Sequence, residues 1–191
     1  MSWKSTFIVA LAIGAPIAAM AAGITPPAVP SNLAVPPGSK AFALGHAVGT
    51  QNNVCLPDGA GAKWVLFGPQ ATVFDEDGEQ IMTHFLSPNP VEGNAARATW
   101  QHSSTTSAVW ALKEEESDDP QFVAPGAIKW LRLRVVGSQE GTGPRDQLPK
   151  TTFIQRVNTS AGVAPAAECA VPEDVGKTTL VPYTADYVFY R

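Results

Sequence analysis

Short segments in which apolar and polar residues alternate follow one another along most of the chain, separated by turn residues. In residues 129–136, Leu131 and Leu133 fall on one face of a strand and Trp130 falls on the other. Residues 183–190 alternate in the same way, with aromatic side chains on one face. The remaining predicted strands are residues 41–48, 63–67, 71–74, 80–86, 97–102, 107–112 and 151–158.

Polar stretches between these segments indicate tight turns rather than helices. Residues 75–78 (DEDG) and 103–106 (SSTT) each separate two predicted strands, as the turns of β-hairpins do. The 17 prolines and 16 glycines are spread over most of the chain and interrupt nearly every window long enough for a helix. The pattern therefore predicts an all-β fold, a single-domain sandwich or barrel of about eight or nine short strands.

The first 21 residues have the pattern of a secretory signal peptide. Lys4 supplies a positive charge, residues 7–13 form a short apolar core, and small residues precede the cleavage point. The apolar core is too short to cross about 30 Å of hydrocarbon. We therefore expect a secreted or periplasmic protein that has no stable membrane insertion after cleavage. Its expected parts are a signal peptide at 1–21, a proline-rich extended lead-in at 22–40 and the all-β domain at 41–191.

Charge and composition narrow the choice of partner. The formal net charge is −4, from 17 acidic and 13 basic side chains with the histidines neutral. A mildly acidic chain has no electrostatic reason to bind nucleic acid. We expect the partner to be an unknown small molecule, a glycan or a protein of the cell envelope.

The chain contains two cysteines, Cys55 and Cys169. In an oxidising compartment such a pair more often forms a disulfide than stays reduced. A redox motif would place the two close together in sequence, and a metal site would add nearby histidine or further cysteine. A structural disulfide is therefore favoured over a redox or metal site, and its long loop would contribute about 4–5 kcal/mol through chain entropy.

Sequence motifs for catalysis and cofactor binding are absent. The three histidines, His46, His84 and His102, do not lie at metal-ligand spacing on one strand. No serine-nucleophile motif, phosphate loop or dinucleotide fingerprint occurs. The acidic residues 75–78 and 114–119 are typical of a turn and a solvated loop rather than of a cation site. We predict no catalytic residue, no metal and no cofactor.

Gln155 and Arg156 are unusual because they interrupt an otherwise apolar strand. A buried polar group without a partner costs about 1–3 kcal/mol, and an ion pair between Arg156 and Asp186 on the closing strand is the favoured explanation. Alternatively, one of the two lines a ligand cleft; being adjacent, both join it only at a bulge or a strand end. Arginine with tryptophan suits a carboxylate, a sugar or an aromatic ligand. The candidate ligand-binding residues are His84, Trp100, Trp130, Gln155 and Arg156.

Several segments, taken in order, resemble one known family. The similarity is to the exported bacterial and fungal family catalogued as domain of unknown function 3455, and it covers residues 41–191. The resemblance implies one exported domain with a Cys55–Cys169 disulfide, and no catalytic residues, since the family has no established activity. Members often carry an aromatic residue just before the first cysteine, where this chain has Val54. The matching segments are residues 49–51, Trp64 with 68–72, 77–78, 83–85, 99–101, 128–131, 152–159 with Gly162, Pro165 and Cys169, and 181–187.

Three functions are compatible with these patterns. We favour an exported, non-enzymatic binding or cell-envelope domain, because the β scaffold carries no recognisable nucleophile or metal-ligand cluster. The first alternative is a structural or assembly protein of the cell surface whose proline-rich lead-in docks on a partner. The second is a hydrolase or lyase with a cleft around His84 and Arg156, which requires His84 within hydrogen-bond reach of Arg156 or of a carboxylate. Asn158 begins a glycosylation sequon, which matters only in a host that modifies such sites.

Overall fold

The computed structural model describes residues 23–143 and 146–191, so the predicted signal peptide, residues 1–21, lies outside the described residues. The strands form one closed antiparallel barrel in which each strand pairs with the next and β8 pairs back with β1. The all-β prediction is confirmed, and the architecture is a barrel rather than a sandwich. Within the described ranges no helix has the length and apolarity needed to cross a membrane. The strands are β1 (Ala41–Asp58), β2 (Gly61–Phe74), β3 (Gln80–Asn89), β4 (Ala95–His102), β5 (Ala108–Ser117), β6 (Trp130–Gln139), β7 (Phe153–Ala161) and β8 (Thr178–Tyr190).

The segments predicted as the second and third strands form one continuous strand, β2. The register between β1 and β2 shifts between Asn52 and Asn53, so that Phe67 stands as an extra residue in β2. A bulge of this kind tolerates the adjoining Gly68 and Pro69, because proline lacks the N–H that a regular ladder needs. The strand count is therefore eight, the lower of the two expected values.

The barrel interior contains the residues that the alternation places on one strand face. Tyr187 and Phe189 of β8, with Leu133 of β6 and Ile154 of β7, are buried in the same core cluster. Trp100 of β4 is fully buried there and lies edge-on to Phe189, with 6.2 Å between ring centroids. Burying an apolar side chain of this size stabilises the fold by about 1.5–3 kcal/mol, and this packing holds the inward side chains in place.

A second apolar cluster lies outside the barrel, under the proline-rich lead-in. Leu33, in a single 3-10 turn, is fully buried in a cluster with Trp130 and Tyr190. Arg132 donates to the backbone carbonyls on either side of Leu33, at 3.1 and 2.7 Å. The lead-in thus packs against the outer face of its own barrel.

The structure confirms the predicted disulfide. Cys55, near the end of β1, is bonded to Cys169 in the connection between β7 and β8, with 5.7 Å between Cα atoms. The same connection is fastened by Trp64, whose indole nitrogen donates to the carbonyl of Pro165 at 2.9 Å. The bridge therefore ties the approach to the last strand to the β1–β2 hairpin.

The acidic run at residues 114–119 is only partly the solvated loop that the sequence indicates, because β5 continues into it. Glu116 forms ion pairs with Lys113 and Lys129. These two lysines lower the pKa of Glu116 to about 2. The acidic side chains on this strand therefore have basic partners close by.

The turn predicted at residues 75–78 is confirmed.

Candidate ligand-binding site

The barrel interior is unfilled at the end that carries the β3–β4 and β5–β6 connections. A cavity of about 240 Å³ lies there, and every one of the eight strands contributes a residue to its lining. Leucine, alanine and proline form most of its wall. An apolar wall with a few convergent polar groups is the usual form of a small-molecule site. The polar groups belong to Gln51, His84, Trp100, Arg156 and Tyr187, with Arg97 and Lys113 at its edge.

Three aromatic side chains form the floor of the cavity. His84 stacks on Trp100, with ring centroids 4.1 Å apart and ring planes 15° from parallel. Tyr187 contacts both rings, at centroid distances of 5.0 Å from His84 and 5.1 Å from Trp100. Each of the three side chains is at most 3% exposed. Their mutual packing gives the cavity a rigid aromatic base.

His84 is held in one tautomer. Its Nδ1 lies 2.9 Å from the carbonyl oxygen of Thr99. Because a carbonyl only accepts, Nδ1 donates its hydrogen and Nε2 keeps its lone pair. Burial lowers the pKa of His84 to about 3; the bond to Thr99 opposes this shift, and the positive charge of Arg156 adds to it. The imidazole is therefore neutral at neutral pH.

Two residues of the cavity lining carry a buried N–H donor without a hydrogen bond within 3.5 Å among the described residues, although the Gln51 side chain is close enough to Tyr183 to oppose the rise that burial causes in the pKa of that hydroxyl. Trp100 Nε1 and Gln51 Nε2 are buried and make no hydrogen bond within the described part of the chain. An unsatisfied buried donor costs about 1–3 kcal/mol. Native proteins usually satisfy such groups with ordered water or a ligand. Both nitrogens are buried, so a molecule in the cavity would reach them after a shift of the side chains that cover them.

Arg156 reaches the cavity from β7. Its Nε and Nη2 atoms donate to the backbone carbonyl of Lys129, at 3.1 and 2.8 Å. No Asp or Glu among residues 23–143 and 146–191 lies within ion-pair distance of its guanidinium. Burial raises the pKa of Tyr187, and the charge of Arg156 opposes that rise. The positive charge of Arg156 is thus felt at the floor of the cavity.

The favoured ion pair between Arg156 and Asp186 is wrong. Arg156 is in register with Tyr187 of β8 and shares the inner face with it. Asp186 faces outward, where its carboxylate bonds Nδ1 of His46 at 2.7 Å and accepts from Nδ2 of Asn158 at 2.8 Å. Adjacent residues of a strand point to opposite sides, and this alternation separates Arg156 from Asp186.

Two of the predicted candidates, Gln155 and Trp130, do not line the cavity. Gln155 points to the outer face, where its Nε2 donates to the carbonyl of Leu33 at 2.7 Å and its Oε1 accepts from the hydroxyl of Tyr190. Trp130 lies in the same outer cluster, edge-on to Phe122. The structure brings together the other three candidates, His84, Trp100 and Arg156.

Gln51 and Tyr187 belong to the site but are missing from the candidates taken from the sequence. The first predicted strand ends at residue 48, because the polar run at 51–53 breaks the alternation, whereas β1 continues to Asp58. Tyr187 is on the aromatic face of the last predicted strand, but nothing in the sequence distinguishes it from the other aromatic residues there. Register between strands, rather than spacing along one strand, brings both residues to the cavity.

Gln155→Leu should lower the free energy of unfolding by about 2–3 kcal/mol. The change leaves the buried Leu33 carbonyl and the Tyr190 hydroxyl without their partner. Urea denaturation followed by tryptophan fluorescence measures the loss. The matched control is Gln70→Leu, at an exposed position of β2, which should stay within about 0.5 kcal/mol of wild type. A loss no larger than that of the control would show that Gln155 does not anchor the lead-in.

The polar side chains around the cavity can be compared with what catalysis requires. Across the described residues, no group of three His, Cys, Asp or Glu side chains is placed to hold a metal ion. His84 bonds a backbone carbonyl, and none of the described carboxylates pairs with it. The site instead offers aromatic faces, unpaired N–H donors and one arginine.

Comparison with known proteins places the chain in a family without assigning its activity. No curated protein and no solved structure matches this chain. A family model described as protein of unknown function (DUF3455) matches residues 36–191. This range contains the whole barrel, both cysteines and the cavity. The chain therefore belongs to the DUF3455 family.

Proposed function

We propose that this protein is an exported, non-enzymatic domain that binds a small ligand in the barrel cavity. The observation that carries the proposal is the cavity itself, whose lining includes Trp100 and Gln51, two residues with buried N–H donors that make no hydrogen bond among the described residues. Such groups are tolerated where a ligand or water completes their hydrogen bonds. The interior of an eight-stranded barrel is either filled by side chains or holds one small ligand.

The volume of the cavity limits the size of the ligand. The cavity has a volume of about 240 Å³. This is slightly below the roughly 300–1,000 Å³ of pockets that take drug-sized ligands. The space suits a single ring or a short chain rather than a polymer.

The chemistry of His84 supports binding over catalysis. A general base is most effective when its pKa lies near the working pH, whereas the pKa of His84 is about 3. Its Nδ1 is bonded to Thr99 and its ring is stacked on Trp100. The role that fits these contacts is to form the floor and to offer Nε2 as a hydrogen-bond acceptor.

Two features support export to the periplasm or the outside of the cell. The disulfide between Cys55 and Cys169 is a type of bond that forms and persists in oxidising compartments. The first 21 residues have the charge, apolar core and small residues of a signal peptide.

Saturation-transfer NMR with benzyl alcohol and benzoate as probes tests the site. Wild-type protein should transfer saturation to at least one of them. Ala98→Leu should abolish the transfer, because Ala98 lines the cavity and the larger side chain fills it. The matched control is Ala95→Leu, on the same strand but on the opposite face, which should behave as wild type. Circular dichroism checks that both variants are folded.

Two results would contradict the proposal. The first is that wild-type protein transfers saturation to neither probe. The second is that binding survives Ala98→Leu to the same extent as Ala95→Leu, since the probes would then bind outside the cavity.

A further inference from the structure

We infer that the ligand is a small organic monoanion, a carboxylate on an apolar body, with its charged group bonded to Arg156. This inference rests on the proposed function, because it names the chemical class of the molecule held in the same cavity. It is carried by the polarity of the unpaired groups, the charges of the lining and the composition of the wall.

The unpaired polar atoms of the cavity are mainly donors. Trp100 Nε1 has a hydrogen to donate and nothing with which to accept, and the Gln51 amide nitrogen is likewise a donor. Arg156 adds a guanidinium that has no acceptor atom. The lining contains no Asp or Glu. A group made only of acceptors, such as a carboxylate, complements this set.

The charges of the side chains around the cavity favour a ligand with one negative charge. Two of the three cationic side chains in the lining have a carboxylate partner: Arg97 pairs with Glu92 at 2.9 Å, and Lys113 pairs with Glu116, which it shares with a second lysine. Arg156 bonds a backbone carbonyl and has no carboxylate partner among the described residues. Since arginine stays protonated at any physiological pH, one unit of positive charge remains for the ligand.

The wall of the cavity requires an apolar body. Leu66 of β2, Leu86 of β3 and Leu131 of β6 line the cavity, together with alanines of β4. A sugar would present many hydroxyl donors, whereas the lining offers three side-chain acceptors: Nε2 of His84, Oε1 of Gln51 and the Tyr187 hydroxyl, which also bonds Tyr183. An aromatic or short branched carboxylate buries its apolar part against the leucines and presents its oxygens to Arg156.

Affinity measurements at pH 7 with benzoate and benzyl alcohol test the inference. The two molecules share one ring and differ in charge. Benzoate should bind at least about ten-fold more tightly, because a charge-assisted bond to a guanidinium is stronger than a neutral one. This comparison uses wild-type protein alone, so it does not depend on the folding of a variant.

Substitutions of Arg156 test whether its charge causes the difference in affinity between benzoate and benzyl alcohol. Arg156→Gln should weaken benzoate binding by at least about ten-fold and weaken benzyl alcohol binding by a smaller factor, so that the preference for benzoate is lost. Arg156→Lys, which keeps the charge but not the planar fork, should retain part of the preference. The control is Arg134→Gln, an arginine that pairs with Glu114 away from the cavity, and it should change neither affinity.

The outcomes separate the inference from the function on which it rests. Equal binding of benzoate and benzyl alcohol, or a benzoate preference that survives Arg156→Gln, overturns the monoanion inference while the small-ligand function stands. Binding of neither molecule overturns both.

Discussion

Replacing Cys55 and Cys169 together by alanine should lower the free energy of unfolding by about 4–5 kcal/mol. The bridge spans a sequence separation of 114 residues, and the chain-entropy model assigns a cross-link of that length a contribution of this size, made by restricting the unfolded chain. An average domain has only about 5–15 kcal/mol of stability in total. We therefore expect the variant to be marginally folded at 37 °C.

Urea denaturation of wild type, of reduced wild type and of the double variant measures the effect. If the cross-link is responsible, reduced wild type and the double variant should unfold at similar urea concentrations. Both should also have a steeper dependence on urea, because the uncrosslinked unfolded chain exposes more surface. A loss below about 1 kcal/mol would show that the bridge contributes little. Ligand binding by the folded variant should persist, because neither cysteine lines the cavity.

The second large effect concerns acidification and His84. The ordinary pKa of 6.5 applies in the unfolded chain, whereas burial lowers the folded-state value to about 3. Between these two values the unfolded chain takes up a proton and the folded protein does not, so stability falls as the pH falls through this window. From pH 7 to pH 4.5 the imidazole should remove about 2.5 kcal/mol from the free energy of unfolding.

Comparing wild type with His84→Phe at pH 7 and pH 4.5 isolates this effect. The variant keeps an aromatic ring against Trp100 but has no group to protonate, so its stability should fall by about 2.5 kcal/mol less than that of wild type over this interval. The control is Val109→Ala, a fully buried position without an ionisable group, which should lose similar stability at both pH values. Equal pH dependence of wild type and His84→Phe would refute the assignment of a neutral, buried imidazole.

The pattern along single strands was sufficient to predict much of the barrel. Leu131 and Leu133 share one face as predicted, as do the aromatic residues of 183–189, and the structure turns both faces into the core; the turn at 75–78 lies where it is expected. The errors occur where the alternation breaks. The bulge at Phe67 divides one strand into two in the sequence, and the polar run at 51–53 hides the second half of β1. At these places pairing with neighbouring strands maintains the extended chain.

The candidate site was predicted in part. His84, Trp100 and Arg156 share the cavity, whereas Gln155 and Trp130 belong to the outer cluster beneath the lead-in. Alternation alone implied that Gln155 and Arg156 face opposite sides. It did not indicate which of the two faces the interior, because both sides of β7 are covered by apolar packing.

The sequence by itself determined the period-two strands, the disulfide partners and the family, because these depend on neighbouring residues, on a count of two cysteines and on motif order. Only the tertiary structure decided which polar groups meet. Gln51, His84, Trp100, Arg156 and Tyr187 come from five different strands, and closure of β8 onto β1 brings them together. Closure also leaves one end of the barrel unfilled. That space, and the unpaired donors beside it, are consequences of packing that no single strand contains.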